Sequence, residues 1–280
     1  MKLLTYIQQN YGIARRTITE AIKEQRVFLD EKPVEGYATE LKYGQHLFAK
    51  IMDKKIDDVI TQVDQKTETV LFHKPVWYVC SKSDPHNRTI YRLLGEQYKN
   101  YYYIGRLDKD SRGLVMLTND PKVVHQYEHP KHKINKEYIV TVKVRDQDFV
   151  KRLMEGTKDT RFQQDSQADF IALVQKLFIK GLLVDEDGKL AKKENRNADL
   201  LRVVSMEVIT QLDKQLRALK IMEPDTRWKI FVLRITLNEG KKRHIRRIWS
   251  SIGGEVLDLV RTQIGDHKID KIDEEESKIV

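Results

Sequence analysis

Cysteine occurs once in 280 residues, at Cys80. A lone thiol closes no internal disulfide, and one cysteine beside eight histidines gives none of the paired spacings of a zinc module. Long hydrophobic runs are also missing. No stretch approaches the roughly 18 apolar residues that cross a bilayer, which excludes a membrane-spanning helix. Residues 1–20 carry no continuous apolar core followed by a small-residue cleavage site, so no secretory signal is read there and the expected location is cytoplasmic. Internal repeats and low-complexity tracts are absent as well.

Acidic residues are in the minority. Lys plus Arg number 51 against 42 Asp plus Glu, a net charge of +9 that favours a polyanionic partner if it is clustered. It is clustered: Gly240–Trp249, GKKRHIRRIW, holds Lys241, Lys242, Arg243, Arg246 and Arg247 with no acid, while Ile269–Val280, IDKIDEEESKIV, is acidic. A solvated charged helix produces the same run, so nucleic acid needs further support.

The hydrophobic periodicity predicts an α+β chain. Leu3, Leu4 and Ile7, then Ile18, Ala21 and Ile22, fall at helical spacing; Val27, Leu29 and Val34 alternate about a turn at Asp30–Pro33. Residues 1–52 are therefore expected to form a small first domain, with Arg15, Arg16, Lys23 and Arg26 around its second helix. A polar link is expected over 53–69, a strand-rich domain over 70–268 and a flexible acidic tail over 269–280. Within the larger domain, VLFHKPVWYVC and KEYIVTVKV read as strands, and YYYIGRLDKDSRGLVMLTND as strand, turn, strand. A helix is expected after Asp146. Phe170, Ile171, Val174, Leu177 and Phe178 mark another, and WKIFVLRITL is a strand leading into a last helix that carries Ile245, Ile248, Trp249 and Ile252.

The block Gly105–Leu114, GRLDKDSRGL, places polar side chains at the end of a sheet. The residues alone leave two readings open: an active-site turn, or a hairpin in which Asp108 and Asp110 only form the turn. His125, His129 and His132 have a spacing that suits a metal, but Pro130 interrupts the helix that would present them; no metal is assigned, and a phosphate contact is preferred. Tyr98, Tyr101, Tyr102 and Tyr103 are read as packing residues.

Two resemblances sharpen this. Ile13–Val34, IARRTITEAIKEQRVFLDEKPV, resembles the small RNA-binding domain of the ribosomal-protein-S-four type. HKPVWYVCS at His73–Ser81, GRLDKDSRGLVMLTND at Gly105–Asp120, KEYIV at Lys136–Val140 and EGKKRHIRRIWSSIGGEVLDLVRTQIG at Glu239–Gly265 resemble, in order, the motifs of the pseudouridine synthase family that modifies ribosomal RNA. The resemblance covers nearly the whole chain. It implies an α+β fold: an S-four-like RNA-binding domain in front of a catalytic domain with a largely antiparallel mixed sheet.

The resemblance also implies roles. Asp108 is the catalytic carboxylate, Tyr138 offers a ring and hydroxyl to an extruded uracil, and Arg246 pairs with Asp108 and lowers its pKa. Arg106 holds the place of the flipped base, with Lys136, Lys241, Arg243 and Arg247 binding substrate and Arg15, Arg16, Lys23 and Arg26 docking RNA. No cofactor is needed, since the reaction has no net oxidation. Three departures from the family pattern stand out. Trp77 replaces a usual Gly and is read as core packing, Ser111 is ordinary variation, and His244 replaces Gln and is assigned a local hydrogen bond or a phosphate contact. The weakly matching region 158–224 is read as an insertion on the sheet's rim.

The expected partner is ribosomal RNA, free or in a pre-ribosomal particle, without a membrane; the expected state is a monomer. The KDS form and the form of the last motif look nearest to the large-subunit group, with small-subunit rRNA or tRNA as alternative substrates. Two other classes compete. One is a non-catalytic RNA-binding or ribosome-assembly protein. The other is a nucleoside hydrolase, which would need a second carboxylate, with Asp110 the candidate.

Overall fold

The computed structural model describes residues 1–61, 67–144, 167–209, 229–270 and 272–279. Helix α1, Leu3–Tyr11, buries Leu3, Leu4 and Ile7 and ends at Gly12, whose left-handed backbone returns its N–H to Gln8 O at 3.1 Å. Helix α2, Arg15–Lys23, buries Ile18, Ala21 and Ile22 and leaves Arg15, Arg16 and Lys23 exposed. Against them packs a four-stranded sheet in the order β2-β1-β3-β4: β1 Val27–Leu29, β2 Lys32–Pro33, β3 His46–Ile51 and β4 Lys54–Val59. Asp30 and Glu31 both have positive φ, +50° and +66°, the two-residue turn whose twist matches a hairpin.

The expected link over 53–69 therefore contains a strand of the first sheet. Ile56 and Ile60 are buried in the same core as Leu3 and Ile18. The strand KKIDDV escaped the periodicity because it has one inward apolar residue and otherwise faces solvent.

The larger unit is built on a sheet ordered β13-β14-β10-β15-β9-β5-β17, with β16 on β15 and β8 on β9. Its strands are β5 Thr69–Lys74, β8 Tyr102–Ile104, β9 Arg112–Thr118, β10 Lys136–Val144, β13 Ser205–Val208, β14 Lys229–Leu237, β15 Gly254–Ile264, β16 His267–Lys268 and β17 Ser277–Ile279. Two small pairs lie apart: β6 Tyr78–Val79 with β7 Arg88–Thr89, and β11 Leu182–Val184 with β12 Asp199–Leu201. Alternation along β10 sends Tyr138, Val140, Val142 and Val144 into the core. Three α-helices lie among the described residues of the unit: α3 Pro121–Glu128, α4 Gln167–Lys180 and α5 His244–Ser250. Phe178 of α4 meets the fully buried Trp249 of α5 edge-on, with ring centroids 5.0 Å apart.

One irregularity positions the site. β15 pairs with β9 in parallel at Arg112 and Gly113 alone, and further along β9 the place beside it is taken by β8, at Met116–Thr118. The sheet forks there. At the fork Gly113 has φ +112°, and a Cβ on it would lie 2.4 Å from Arg261 O, so only glycine fits.

The acidic end is paired to the sheet, contrary to the flexible tail expected over 269–280. Ile272 is buried, Ser277–Ile279 pairs with β5, and the His73 N–H donates to Glu276 O at 3.0 Å. Main-chain bonds to an open edge need no apolar side chains, which is why composition did not reveal the strand. The helix expected after Asp146, and residues 158–166 and 210–224 of the weakly matching region, lie outside the described residues. No helix among the described residues is long and apolar enough to cross a membrane.

Candidate active site

The loop from Gly105 to Ser111 joins β8 to β9 at the fork, where main-chain carbonyls lose their sheet partners. Cationic side chains from three separate segments supply the missing donors. Arg261, 1% exposed on β15, donates to Leu114 O at 2.7 Å, Arg106 O at 3.2 Å and Gly105 O at 2.5 Å. Lys74, fully buried at the end of β5, donates to Pro75 O at 2.8 Å and Ser111 O at 2.5 Å. Arg246 on α5 donates to Asp110 O at 2.7 Å and to Val256 O at 2.9 Å. Burial pushes the Lys74 ammonium down to about 8, opposed by Cys80, Asp110 and Asp108. The Glu128 carboxylate of α3 accepts the Gly105 N–H at 2.9 Å.

Inside this clamp Asp108 is half-buried; its main-chain oxygen accepts the Ser111 N–H at 3.1 Å, while its carboxylate makes no hydrogen bond or ion pair with another described residue. The expected pairing with Arg246 is corrected: Arg246 Nε lies 3.3 Å from Asp110 Oδ2, and Asp108 is felt only as a longer-range field. Arg243 also belongs to Asp110, donating to its two carboxylate oxygens at 3.3 and 3.0 Å. Burial alone would raise the Asp110 pKa; the hydrogen bonds from Arg243 and the charge of Arg246 outweigh it, and the net shift is downward.

Tyr138 is 8% exposed and sits directly opposite Arg261 in the β10–β15 ladder. Cross-strand partners share a face of the sheet, so the ring lies on the side from which Arg261 holds the loop. Tyr138 and Leu107 belong to one hydrophobic cluster.

The other residues singled out from the sequence divide. Arg106 is exposed on the loop. Lys136 is half-buried and donates to Ile134 O at 3.2 Å, its pKa lowered by burial and then by Arg261. Lys241 is tied to Leu200 O at 2.6 Å and Glu239 at 3.3 Å. Arg247 does not face substrate: it is 6% exposed and bonded to Asp185 O, Val184 O and Asp199, where it pins the β11–β12 hairpin to α5. His244 is 4% exposed, too buried for a phosphate, with Nδ1 3.6 Å from Glu239 and outside hydrogen-bond reach. Trp77 is not core packing: it is exposed, at φ +73°, where the family's Gly would sit without strain.

In the first unit Arg15, Arg16 and Lys23 are exposed; Arg16 pairs with Glu20, and Arg26 with Glu24 and Lys50 O. Arg15 and Lys2 line a cavity of about 940 Å³ together with Lys122, His125 and His129. Pro130 does not keep the histidines apart. It opens a short helical turn, and the rings of His125, His129 and His132 lie with centroids 4.7, 5.7 and 5.9 Å from one another. No group of His, Cys, Asp or Glu among the described residues is arranged to hold a metal. Tyr98, Tyr101 and Tyr103 pack against the core as expected.

Lys74, Arg261 and the hub role of Asp110 were missed. The signal for the first two was a cation inside an apolar strand, LFHKP and LDLVRTQ, because a buried Lys or Arg needs a dedicated set of acceptors.

Residues 68–251 match the family described as RNA pseudouridylate synthase, and the chain belongs to that family. It is a pseudouridine synthase. It is 26% identical over 272 residues to "Ribosomal small subunit pseudouridine synthase A" of Yersinia pestis, covering 96% of this chain and 90% of the relative. An "Uncharacterized RNA pseudouridine synthase" of Aquifex aeolicus is 23% identical, covering 97% of this chain and 88% of the relative. A solved structure titled "Crystal structure of pseudouridylate synthase" shares the fold, with TM-score 0.52 and 21% identity over 100% of this chain and 96% of that one.

Proposed function

We propose that this enzyme converts a uridine of ribosomal RNA to pseudouridine, with Asp108 as the catalytic carboxylate. The observation that carries the reading is the clamp: Arg261, Lys74 and Arg246 fix the carbonyls on both sides of Asp108 while leaving its carboxylate without an ion-pair partner among the described residues. A loop used only for binding phosphates has no need of an anionic residue held this way.

The reaction breaks N1–C1′, turns the uracil and joins C5 to C1′; the C5 proton is lost and N1 gains one. Asp108 acts on the ribose, as nucleophile at C1′ or as base at C2′, and both routes require it ionised. Tyr138 supplies a stacking face to the extruded uracil and a hydroxyl that relays the C5 proton toward solvent, giving up its own proton as it takes that one. The exposed Arg106 fills the vacated stack. Arg246 is a positioning residue that works through Asp110. Because Asp110 is occupied by Arg243 and Arg246, the hydrolase reading loses its second carboxylate.

The substrate we infer is small-subunit rRNA, on the strength of the relatives' names. Those names give no support to the large-subunit target suggested by the motif forms. The first unit, extending to Ile60, is read as the S-four-like docking module, with exposed Arg15, Arg16 and Lys23 facing RNA and Arg26 partly committed to Glu24. The test is to map pseudouridines in rRNA from cells with the gene, without it, and with Asp108→Ala. One uridine should lose its modification in both altered strains. An unchanged map with the protein expressed refutes the proposal.

A further inference from the structure

Trp77 carries two costs at once. Its indole is 67% exposed, and its backbone lies at φ +73°, a region bulky residues rarely adopt. Among the described residues of the unit that holds Asp108, it is the one aromatic so exposed. Its place is tied to the catalytic loop, because the Trp77 N–H donates 2.7 Å to the carbonyl of Lys109, the residue after Asp108. Exposed cations lie on the segments next to it. Lys109 is held by Asn87 through a 2.7 Å hydrogen bond, Arg106 stands on the same loop, and Arg88 pairs with the neighbouring Tyr78. An exposed indole tied to the loop of Asp108, with cations on the neighbouring segments, can stack a base while its phosphates are neutralised.

We propose that Trp77 stacks on a nucleotide adjacent to the extruded uridine and so helps select the RNA segment that is modified; this rests on the proposed RNA reading. Tyr138 is 8% exposed whereas Trp77 is 67% exposed, so the two rings are assigned to different bases.

The test uses the full chain, with rRNA purified from cells lacking the gene, and compares wild type with Trp77→Gly and Trp77→Phe. Glycine relieves the backbone strain, so the Gly variant should melt no lower than wild type. Loss of one stacked base is worth about tenfold to a hundredfold in KM and in the Kd for the same RNA, with kcat changed far less, and Phe should restore most of it. An abasic residue beside the target uridine should erase the difference between wild type and the Gly variant. KM and Kd within twofold of wild type in Trp77→Gly overturn the proposal, as does a rise accompanied by a lower melting temperature that Phe fails to rescue. Wild-type protein that binds the rRNA without forming pseudouridine overturns the activity reading instead, and the Kd comparison still decides whether Trp77 contacts the RNA.

Discussion

Arg246 grips Asp110 at two points, with Nε 3.3 Å from the carboxylate and Nη2 2.7 Å from the main-chain oxygen. Since Arg243 holds the same carboxylate, the turn that follows Asp108 is fixed by two guanidiniums through one acid. Asp110→Asn keeps the shape and removes the charge. The turn should then loosen, and a displacement near 1 Å at Asp108 would lower kcat by about a hundredfold. Single-turnover pseudouridine formation reads this directly. An unchanged rate would show that the main-chain contacts alone hold the turn.

Arg261 fills the fork between β15 and β8 with a buried cation whose bonds go to Leu114 O, Arg106 O and Gly105 O. Arg261→Met retains much of the volume and leaves these carbonyls without donors. Each buried orphaned acceptor costs about 1–3 kcal/mol, and since Leu114 is buried while Gly105 and Arg106 can reach water, a loss at the low end for the three, at least about 1–3 kcal/mol, is expected from denaturant unfolding. Arg261→Lys should recover only part of it, because an ammonium lacks the planar fork. Full stability in the Met variant would mean that water or a rearranged loop supplies the donors.

Gly113 is where β9 and β15 approach too closely for any side chain. Gly113→Ala should lower stability by roughly 3 kcal/mol through the combined clash and left-handed strain. It should also reduce activity, because the clash is with the Arg261 backbone that orients the loop clamp. Melting curves of Gly113→Ala and of a control alanine at Gly36, where nothing lies within 4 Å of the added carbon, separate the local clash from a general effect of losing glycine. Equal losses at the two positions would remove the close approach as the cause.

These contacts mark where sequence reading stops. β10 and α4 were legible because their apolar residues recur at the period of the element. The loop GRLDKDS was legible as a candidate site from its residue types and its place between strands, but the choice between an active-site turn and a plain hairpin turn came from the family resemblance. β4 and β17 were not, since an edge strand is defined by main-chain pairing and KKIDDV and SKI carry little apolar signal. The basic run 241–247 read as one patch, but α5 divides it: Lys242 and Arg243 are exposed, while Arg247 is buried under a hairpin that lies some sixty residues earlier in the chain. Which of two aspartates in one turn meets Arg246 depends on side-chain direction, and spacing does not encode that.

His244 sets a pH limit on the fold. Burial, then the charges of Lys241 and Arg247, hold its imidazole at about 4 against an ordinary 6.5. Between those values the unfolded chain binds a proton that the folded chain does not, so stability rises with pH from about 4 to 6.5 and this contribution is flat above. At the acid end the penalty is roughly 3 kcal/mol. His244→Gln removes the titrating group, and its carboxylate background is the same as that of wild type. The melting temperatures of the two proteins should therefore run parallel above pH 7 and diverge below pH 6, with wild type falling faster. Parallel curves throughout would mean that the imidazole gains a proton in the folded state, through the nearby Glu239 carboxylate 3.6 Å away.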